Sequence, residues 1–215
     1  MKPTASSAEI RRWIANHLDP LDAPNAEAES HSDYDLGLPP GPPLDAPALT
    51  PAAVLVGLVE RPGGLSVLLT RRSDNLRSHT GQIALPGGRC EADETPWGAA
   101  LRESHEEIGL DPACVELAGL STPYRTGSGF HITPVVGFVS APVSLTPNPG
   151  EVAEIFETPF GFLMDPANYQ QHEMDMPEGI RRRFYATTWE NRFIWGATAG
   201  MLRALYSRLY GAALA

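Results

Sequence analysis

Residues 88–110, GRCEADETPWGAALRESHEEIGL, contain the pattern that decides the fold. Thr95 followed by Pro96 is typical of a helix start, with a capping side chain and then proline at the first helical position. Gly109 stands where a residue in the left-handed conformation ends a helix. The pattern therefore predicts a helix over residues 96–108 that follows a glycine turn.

Three glutamates of this predicted helix, Glu103, Glu106 and Glu107, are spaced at i, i+3 and i+4. That spacing projects their side chains from one helix face, close to each other. Like charges at such distances are destabilising unless a positive group lies between them. Mg²⁺ and Mn²⁺ prefer carboxylate oxygens, so the cluster predicts a divalent-cation site. The alternative is a solvated helix face, which is the commoner meaning of an acidic run taken alone.

The wider spacing of glycine, arginine and glutamate resembles the Nudix box, Gx5Ex7REUxEExGU, in which U is apolar. The matching residues are Gly88, Glu94, Arg102, Glu103, Glu106, Glu107 and Gly109. Ser104 departs from the box, because that position is usually aliphatic or alanine. The resemblance implies an α/β fold, the Nudix-type α/β/α sandwich with a mixed β-sheet, and hydrolysis of a diphosphate with Mg²⁺ or Mn²⁺ as cofactor.

The same resemblance implies roles for the box residues. Glu103 and Glu107 are expected to be the principal metal ligands, and Glu106 is expected to share or bridge a second ion during catalysis. The main-chain carbonyl of Gly88 is a further metal ligand by the same resemblance. Arg102 is expected to serve catalysis by orienting the glutamates of the box rather than by touching the substrate.

Residues 68–88, LLTRRSDNLRSHTGQIALPGG, resemble the LLTxRSxxLRxHxGxxxFPGG signature of the coenzyme A pyrophosphatase branch of the family. Leu85 replaces the phenylalanine of that signature. Residues 128–137 and 194–199 resemble further blocks of the branch, in the same order along the chain. The resemblance implies hydrolysis of coenzyme A, or of an acyl derivative, to 3′,5′-ADP and 4′-phosphopantetheine.

Coenzyme A carries a 3′-phosphate beside its diphosphate, so its site needs more positive charge than a simple nucleotide site. Arg72 and Arg77 are candidate substrate-binding residues, because guanidinium groups suit bidentate phosphate contacts. The alternative is that both pair with nearby acids such as Asp74. His79 is a candidate either for ligand contact or for a hydrogen bond that fixes the loop. Phe130 is expected to stack on adenine or pantetheine.

A distal carboxylate usually completes Nudix sites, and residues 148–156, NPGEVAEIF, contain two candidates. Glu151 lies in a Pro-Gly turn, where a flexible loop can supply a late-arriving metal ligand or base. It is our candidate for this catalytic role. Glu154 lies one step inside the predicted strand and is expected to orient or cap instead.

Composition limits the classes of partner and compartment. The chain has 215 residues, 42% hydrophobic content and a formal net charge of −10. That charge argues against a nucleic-acid partner, because phosphate backbones require a basic stripe. Cys90 and Cys114 are too few for a disulfide framework and are expected to be reduced thiols. We see no membrane span and no signal-peptide core, which predicts a cytoplasmic protein with a small-molecule substrate.

We divide the chain into residues 1–50, an N-terminal helix with an acidic Pro-rich linker, and residues 51–215, a Nudix hydrolase domain. The helix is expected over residues 7–18 with Ser7 as its cap, and residues 19–50 are expected to be extended or partly disordered. Strands are expected over residues 53–59, 65–70, 82–85, 115–121, 132–140, 152–157, 181–187 and 192–195, with a closing helix over 197–210.

Two other functions compete with coenzyme A hydrolysis. The same chemistry could act on another diphosphate, such as ADP-ribose or NADH. A catalytically silent Nudix module used for ligand sensing is the alternative from a different class, and Ser104 is the box residue that leaves room for it. The sequence leaves the oligomeric state open, although homodimers are common among Nudix relatives.

Overall fold

The computed structural model describes residues 6–23, 30–33, 35–36, 49–75, 79–175 and 181–211. The helices are α1 (Ser7–Ala15), α2 (Pro96–Ile108), α3 (Phe160–Leu163) and α4 (Gly196–Tyr210). The strands are β1 (His31–Ser32), β2 (Thr50–Arg61), β3 (Gly64–Arg72), β4 (Ile83–Ala84), β5 (Gly87–Arg89), β6 (Val115–Leu120), β7 (Tyr124–Arg125), β8 (Phe130–Val139), β9 (Val152–Pro159), β10 (Gln170–Asp175), β11 (Arg181–Trp189) and β12 (Arg192–Trp195).

Strand β2 is the centre of a mixed sheet that, within the described residues, has nine strands. It pairs with β8 in parallel and with β3 and β5 in antiparallel orientation. Strand β9 pairs with β3, and both β6 and β7 pair with β8. Strands β10, β11 and β12 form a separate antiparallel sheet of three strands. The mixture of parallel and antiparallel pairs follows from strands and helices that do not alternate regularly along the chain.

The central strands are buried on both faces, and their side chains alternate between two hydrophobic clusters. Leu55 and Leu68 belong to the cluster that packs against α2. Val56 and Leu69 belong to the cluster that contains the apolar side chains of α4 and Ile14 of α1. Helices therefore cover both faces of the mixed sheet, and the predicted α/β fold is confirmed.

Helix α2 begins and ends where the sequence predicts. The Thr95 side chain accepts a hydrogen bond from the N–H of Gly98, and Gly109 has φ 67° as the left-handed C-cap. Helix α1 differs from the prediction at both ends. Its cap is Ser6 rather than Ser7, because Ser6 forms a reciprocal capping box with Glu9.

The acidic N-terminal segment contacts the domain in the parts that the structure describes. Residues 30–33 and 35–36, which we call the N-terminal arm, include β1, and β1 pairs in parallel with β7. Asp19 forms an ion pair with Arg208 of α4 at 2.6 Å. Residues 24–29, 34 and 37–48, where an extended or disordered linker is predicted, lie outside the described residues. A helix long and apolar enough to cross a membrane is absent from the described part of the chain.

Candidate active site

The glycine turn before α2 brings backbone and carboxylate into direct contact. Gly87 and Gly88 lie in β5, which pairs with the start of β2. A Cβ atom at Gly88 would lie 2.5 Å from the carboxyl carbon of Glu103. Because real Cβ atoms do not approach other atoms so closely, only glycine lets this carboxylate lie against the strand.

Glu107 is the most buried carboxylate of the box, with 4% of its surface exposed. Its Oε2 accepts a hydrogen bond from the N–H of Gly87 at 3.1 Å. Burial raises the pKa of Glu107 to about 7, and the charges of Glu103 and Glu151 add to the rise. The Gly87 hydrogen bond and the charge of Arg72 act in the opposite direction. The carboxylate is therefore desolvated and surrounded by like charge, a condition that a bound cation relieves.

Glu103 is in a similar environment. Burial is the largest cause that raises its pKa, and the charges of Glu106 and Glu151 add to it. A hydrogen bond from Arg102 Nη1 at 3.0 Å works against the rise. Glu106 is exposed and lies 3.4 Å from the same Nη1 atom. A single guanidinium group thus contacts two of the three glutamates.

Glu94, in the loop before the helix, fixes the Arg102 side chain through two hydrogen bonds. Arg102 Nε and Nη2 donate to the two carboxylate oxygens of Glu94, each at 3.0 Å. Nη2 also donates to the main-chain carbonyl of Arg89 at 3.0 Å. The pair holds the pKa of the Glu94 carboxyl below its usual value and raises that of the guanidinium. This bidentate contact orients the arginine toward the helix glutamates.

The donor set fits a hard divalent cation in its chemistry. Within the described residues, no three His, Cys, Asp or Glu side chains are gathered as a ready-made metal cluster. The oxygens of Glu103 and Glu107 are nevertheless desolvated beside the Gly87-Gly88 backbone, with raised pKa values. Oxygen donors of this kind match Mg²⁺ or Mn²⁺ rather than a soft metal.

Glu151 lies near the box, since its charge raises the pKa of both Glu103 and Glu107, and Val152 beside it packs in the hydrophobic cluster under α2. Its loop is fastened to the end of α2, where the N–H of Asn148 donates to the carbonyl of Glu107 at 2.8 Å. The carbonyl of Glu151 accepts from the N–H of Ser73 at 2.8 Å. The loop is therefore hydrogen-bonded both to the end of α2 and to the residue that follows β3.

Glu154 lies on the opposite face of the sheet. It pairs in register with Arg71, whose Nε is 3.7 Å from its Oε2. Its Oε1 accepts from Arg192 of β12 at 2.6 Å. Strand alternation places Glu154 with Phe156, and the guanidinium of Arg192 also lies 4.4 Å from the centre of that ring. Glu154 thus joins the two sheets and does not face the box glutamates.

The candidate substrate residues differ in position. Arg72 is near the box, since its charge lowers the pKa of Glu107, and its buried Nε has no hydrogen-bond partner among the described residues. Arg71, rather than Arg72, contacts Asp74 at 3.5 Å. His79 is exposed, with Nδ1 3.0 Å from Gln82 Oε1, the arrangement expected of a residue that fixes the loop. Arg77 lies outside the described residues.

Phe130 lies at the start of β8, in register with Thr50 of β2. The guanidinium of Arg89 lies 5.4 Å from the centre of its ring. The N–H of Phe130 donates to Thr126 Oγ1 at 3.0 Å, which closes the turn over residues 126–130. By register and strand alternation, Arg89 and Phe130 share the sheet face of Ile132, whereas Gly88 faces Glu103, so this ring and this cation lie across the sheet edge from the glutamates.

Sequence reasoning missed Asp33, which supports this turn from the N-terminal arm. Its carboxylate accepts from Tyr124 Oη at 3.0 Å and from the N–H of Gly127 at 2.8 Å. Arg182 of β11 lies 2.7 Å from the same carboxylate. No local signal in the sequence could have found these contacts, because Tyr124 and Gly127 lie 91 and 94 residues away.

Comparisons with known proteins agree with this geometry. Residues 49–183 match the NUDIX domain. A protein of Yersinia pestis (strain Pestoides F), described as uncharacterized Nudix hydrolase NudL, is 42% identical over 156 residues, 72% of this chain and 77% of that protein. The NudL protein of Yersinia pseudotuberculosis serotype O:1b (strain IP 31758) has the same identity and coverage.

Solved Nudix structures are also similar to parts of the chain. The Nudix hydrolase RenU of M. smegmatis has 28% identity and a TM-score of 0.46, over 55% of this chain and 75% of that one. The NUDIX domain of Shewanella oneidensis NrtR, solved with ADP ribose, has 20% identity and a TM-score of 0.43, over 57% of this chain and 80% of that one.

Proposed function

Because the chain belongs to the Nudix family, we propose that it hydrolyses the diphosphate bond of coenzyme A or of an acyl-coenzyme A. The products are 3′,5′-ADP and 4′-phosphopantetheine or its acyl form. The protein is a Nudix hydrolase of a nucleoside diphosphate derivative. The reaction class is that of a pyrophosphohydrolase acting on an acid anhydride that contains phosphorus.

One observation carries the proposal. The desolvated carboxylate of Glu107 accepts from the Gly87 N–H, and the charge of Arg72 acts on it from the end of β3. Carboxylates that favour a divalent cation therefore lie within electrostatic reach of an arginine without an ion-pair partner among the described residues. A diphosphate bound there meets positive charge from both the metal and Arg72.

The metal ligands in this proposal are the main-chain carbonyl of Gly88 with Glu103, Glu106 and Glu107. Mg²⁺ or Mn²⁺, when bound, neutralises the oxygens of the diphosphate and lowers the pKa of water. Glu94 and Arg102 act behind these ligands: their bidentate pair fixes the guanidinium that contacts Glu103 and Glu106. Arg102 is thus a positioning residue.

Glu151 is our candidate for the group that accepts a proton from the attacking water or adds a late metal ligand. Its position supports this role, because its loop is hydrogen-bonded to the last turn of α2 and its charge acts on Glu103 and Glu107. Glu154 forms an ion pair with Arg192 on the other face of the sheet. These contacts favour Glu151 over Glu154 as the distal carboxylate.

Coenzyme A is the substrate that we favour, because residues 68–88, 128–137 and 194–199 resemble the blocks of the coenzyme A pyrophosphatase branch. Arg72 lies near the box glutamates, and Arg89 of β5 lies against the ring of Phe130. Phe130 is suited to stack on adenine or on the pantetheine arm, and Arg77 and His79 belong to the loop that completes this signature. The acyl end lies far from the diphosphate, so the free thiol and its acyl forms share the proposed contacts.

The silent-module alternative depends on Ser104, and the surroundings of that residue argue against it. Ser104 is fully buried on the core side of α2, and its Oγ donates to the carbonyl of Ala100 at 2.6 Å. Its hydroxyl is satisfied one turn back along the helix. The substitution therefore changes packing beneath the helix and leaves every acidic side chain of the box in place.

The test is a comparison of four candidate substrates under three metal conditions. Coenzyme A, acetyl-coenzyme A, ADP-ribose and NADH are incubated with the protein in Mg²⁺, in Mn²⁺ and in chelator, and the products are separated by chromatography. Release of 3′,5′-ADP that needs metal and is lost in Glu107→Gln supports the proposal. Cleavage of ADP-ribose or NADH with coenzyme A spared would keep the chemistry and overturn the substrate. Cleavage of nothing would favour the silent module.

A cytoplasmic location is a further part of the proposal, and a homodimer remains one of the open oligomeric states. Both can be measured directly, by fractionation and by light scattering of the purified chain.

A further inference from the structure

We propose that a second ligand site, for one oxyanion of phosphate size, lies at the amino end of α4. The site is a cavity of about 100 Å³ between the N-terminal arm, β11 and the first two turns of α4. We call it the Arg203 cavity. It does not rest on the proposed hydrolase activity, because its residues lie on the other face of the main sheet from the box glutamates.

Arg203 is the unusual member of the lining. Only 8% of its surface is exposed, and its buried Nε has no hydrogen-bond partner among the described residues. Within the same residues no carboxylate lies within ion-pair distance of its guanidinium. The group instead lies 3.8 Å from the ring centre of Tyr185 and 5.4 Å from that of Tyr169. Ring faces compensate a desolvated cation only in part, so the site favours an incoming anion.

The start of α4 adds positive potential to the same cavity. Gly196, Gly200 and Arg203 stand at i, i+4 and i+7, so all three line one face of the helix. The first turn has no side-chain cap, and its N–H groups have no helical partner. Free N–H groups and the helix dipole attract anions at such ends. Two independent sources of positive potential therefore meet in one cavity.

The two carboxylates in the lining are already engaged. Asp33 accepts from Tyr124 and Gly127 and forms an ion pair with Arg182. Asp35 accepts from the hydroxyl and the N–H of Ser32 within the arm.

The other cation of the lining is also engaged. Arg183 forms an ion pair with Glu173 at 3.0 Å. Arg203 is thus the charge that the cavity leaves without a counter-ion in the described part of the chain.

The size of the cavity limits the ligand. At about 100 Å³ the cavity is well below the roughly 300–1,000 Å³ of pockets that enclose a drug-sized ligand, so it suits one phosphate group rather than a nucleoside. The source is either free phosphate or the terminal phosphate of a larger molecule whose remainder stays outside.

The cavity is separate from the glutamate site. Tyr124, Ile132, Ala52 and Arg89 are partners across four adjacent strands, which is a distance of about 14 Å along the sheet. A ligand of the Arg203 cavity cannot be the diphosphate between the glutamates.

The test measures phosphate binding by the full chain in chelator, so that no metal recruits phosphate to the glutamate site. Inorganic phosphate is titrated by calorimetry and by thermal unfolding against wild type, Arg203→Met, Arg203→Lys and Glu107→Gln. A parallel titration with 3′-AMP separates free phosphate from a phosphate on a nucleoside. Hydrogen exchange of residues 31–36 and 196–203 in wild type, with and without phosphate, needs no variant.

We expect wild type and Glu107→Gln to bind phosphate alike and to gain Tm with it. Arg203→Met should bind at least about tenfold more weakly, because it loses charge-assisted hydrogen bonds, and Arg203→Lys should be intermediate. Without phosphate, Arg203→Met should be no less stable than wild type, since it removes an uncompensated buried charge. Slower exchange at both segments in phosphate would support the site even if Arg203→Met failed to fold.

Several results would overturn the proposal. Equal phosphate affinity of wild type and Arg203→Met would do so, as would unchanged hydrogen exchange in wild type. A loss of Tm in Arg203→Met that is the same with and without phosphate would assign Arg203 to packing on the tyrosine rings alone. A phosphate affinity that changes in Glu107→Gln and is the same in Arg203→Met as in wild type would place the phosphate at the hydrolase site.

Discussion

The two faces of the central sheet hold buried charges of opposite sign that the described residues compensate only in part. On the α2 face, Glu103 and Glu107 are desolvated beside each other and their pKa values are raised. On the α4 face, Arg203 is buried on aromatic rings with no acidic partner among the described residues. The first face is suited to a cation and the second to an anion.

The two sites differ in how far apart in sequence their residues lie. The acidic face comes from three glutamates of one helix and a turn about fifteen residues before them, so a short stretch of sequence contains most of it. The basic face needs the arm at residues 31–36, the sheet at β11 and helix α4. A local site can be read from spacing, whereas an assembled site becomes visible only once the chain is folded.

The largest effect is expected from Glu107→Gln on the acidic face. The change should lower turnover by about a hundredfold or more, because it removes a charged ligand while keeping the shape of the side chain. Steady-state kinetics in Mg²⁺ measure this loss, and thermal unfolding should show that the Mg²⁺-dependent gain in Tm disappears with it. Glu116→Gln, which changes an exposed glutamate paired with Arg11, is the matched control. Full activity in Glu107→Gln would remove the box glutamates from the mechanism.

Asp33→Asn should have the next largest effect, on the basic face. The variant leaves Arg182 without its buried counter-charge, and we expect a loss of about 2 kcal/mol in the free energy of unfolding. Urea denaturation measures it. Asp35→Asn is the control, since Asp35 is exposed and binds only within the arm among the described residues. Equal losses in the two variants would mean that the Asp33 contacts add nothing specific.

A comparison of Glu151→Gln with Glu154→Gln tests which of the two glutamates is the distal carboxylate. Glu151→Gln should lower turnover by at least about tenfold with folding intact, as expected for a catalytic base or late ligand. Glu154→Gln should change turnover much less and lower stability instead, because it breaks the ion pair with Arg192. The reverse ranking in kcat would make Glu154 the distal carboxylate.

Ser104→Ala should have the smallest effect. The hydroxyl donates to a helix carbonyl that already has a partner, so its removal should change turnover by less than about twofold and stability by under about 1 kcal/mol. Kinetics and thermal unfolding of the same preparation measure both. A large gain in activity would indicate that the serine weakens the box after all.

Features formed by a short stretch of sequence were predictable, whereas features assembled from distant segments were not. Helix α2 was predictable to the residue, because Thr95 and Gly109 are local end signals. The cap of α1 was wrong by one position, although Ser6 and Glu9 form an S-x-x-E pattern that could have been read. The pair of Glu94 with Arg102 lies within the box pattern and was predicted, whereas the contact of Arg89 with Phe130 joins residues that are far apart in sequence.

Other parts could not be predicted from spacing. The short strands β1 and β7 exist because they pair with each other and with β8, and two residues carry too little pattern to be noticed. Strand β10 is polar and largely exposed, so its hydrophobic signal is weak. The ion pair of Glu154 with Arg192 depends on the pairing of β9 with β3 and on the position of β12, which local spacing does not reveal.

The pairing of β1 with β7 also decides how the domain can be excised. A chain shortened to residues 49–183, the part that matches the family, would keep every glutamate of the box. It would lose Asp33, so the hydroxyl of Tyr124 and the N–H of Gly127 would lose their acceptor. It would also lose α4, whose Leu202 and Leu205 are fully buried in the core. The minimal folding unit therefore extends beyond both ends of the family homology.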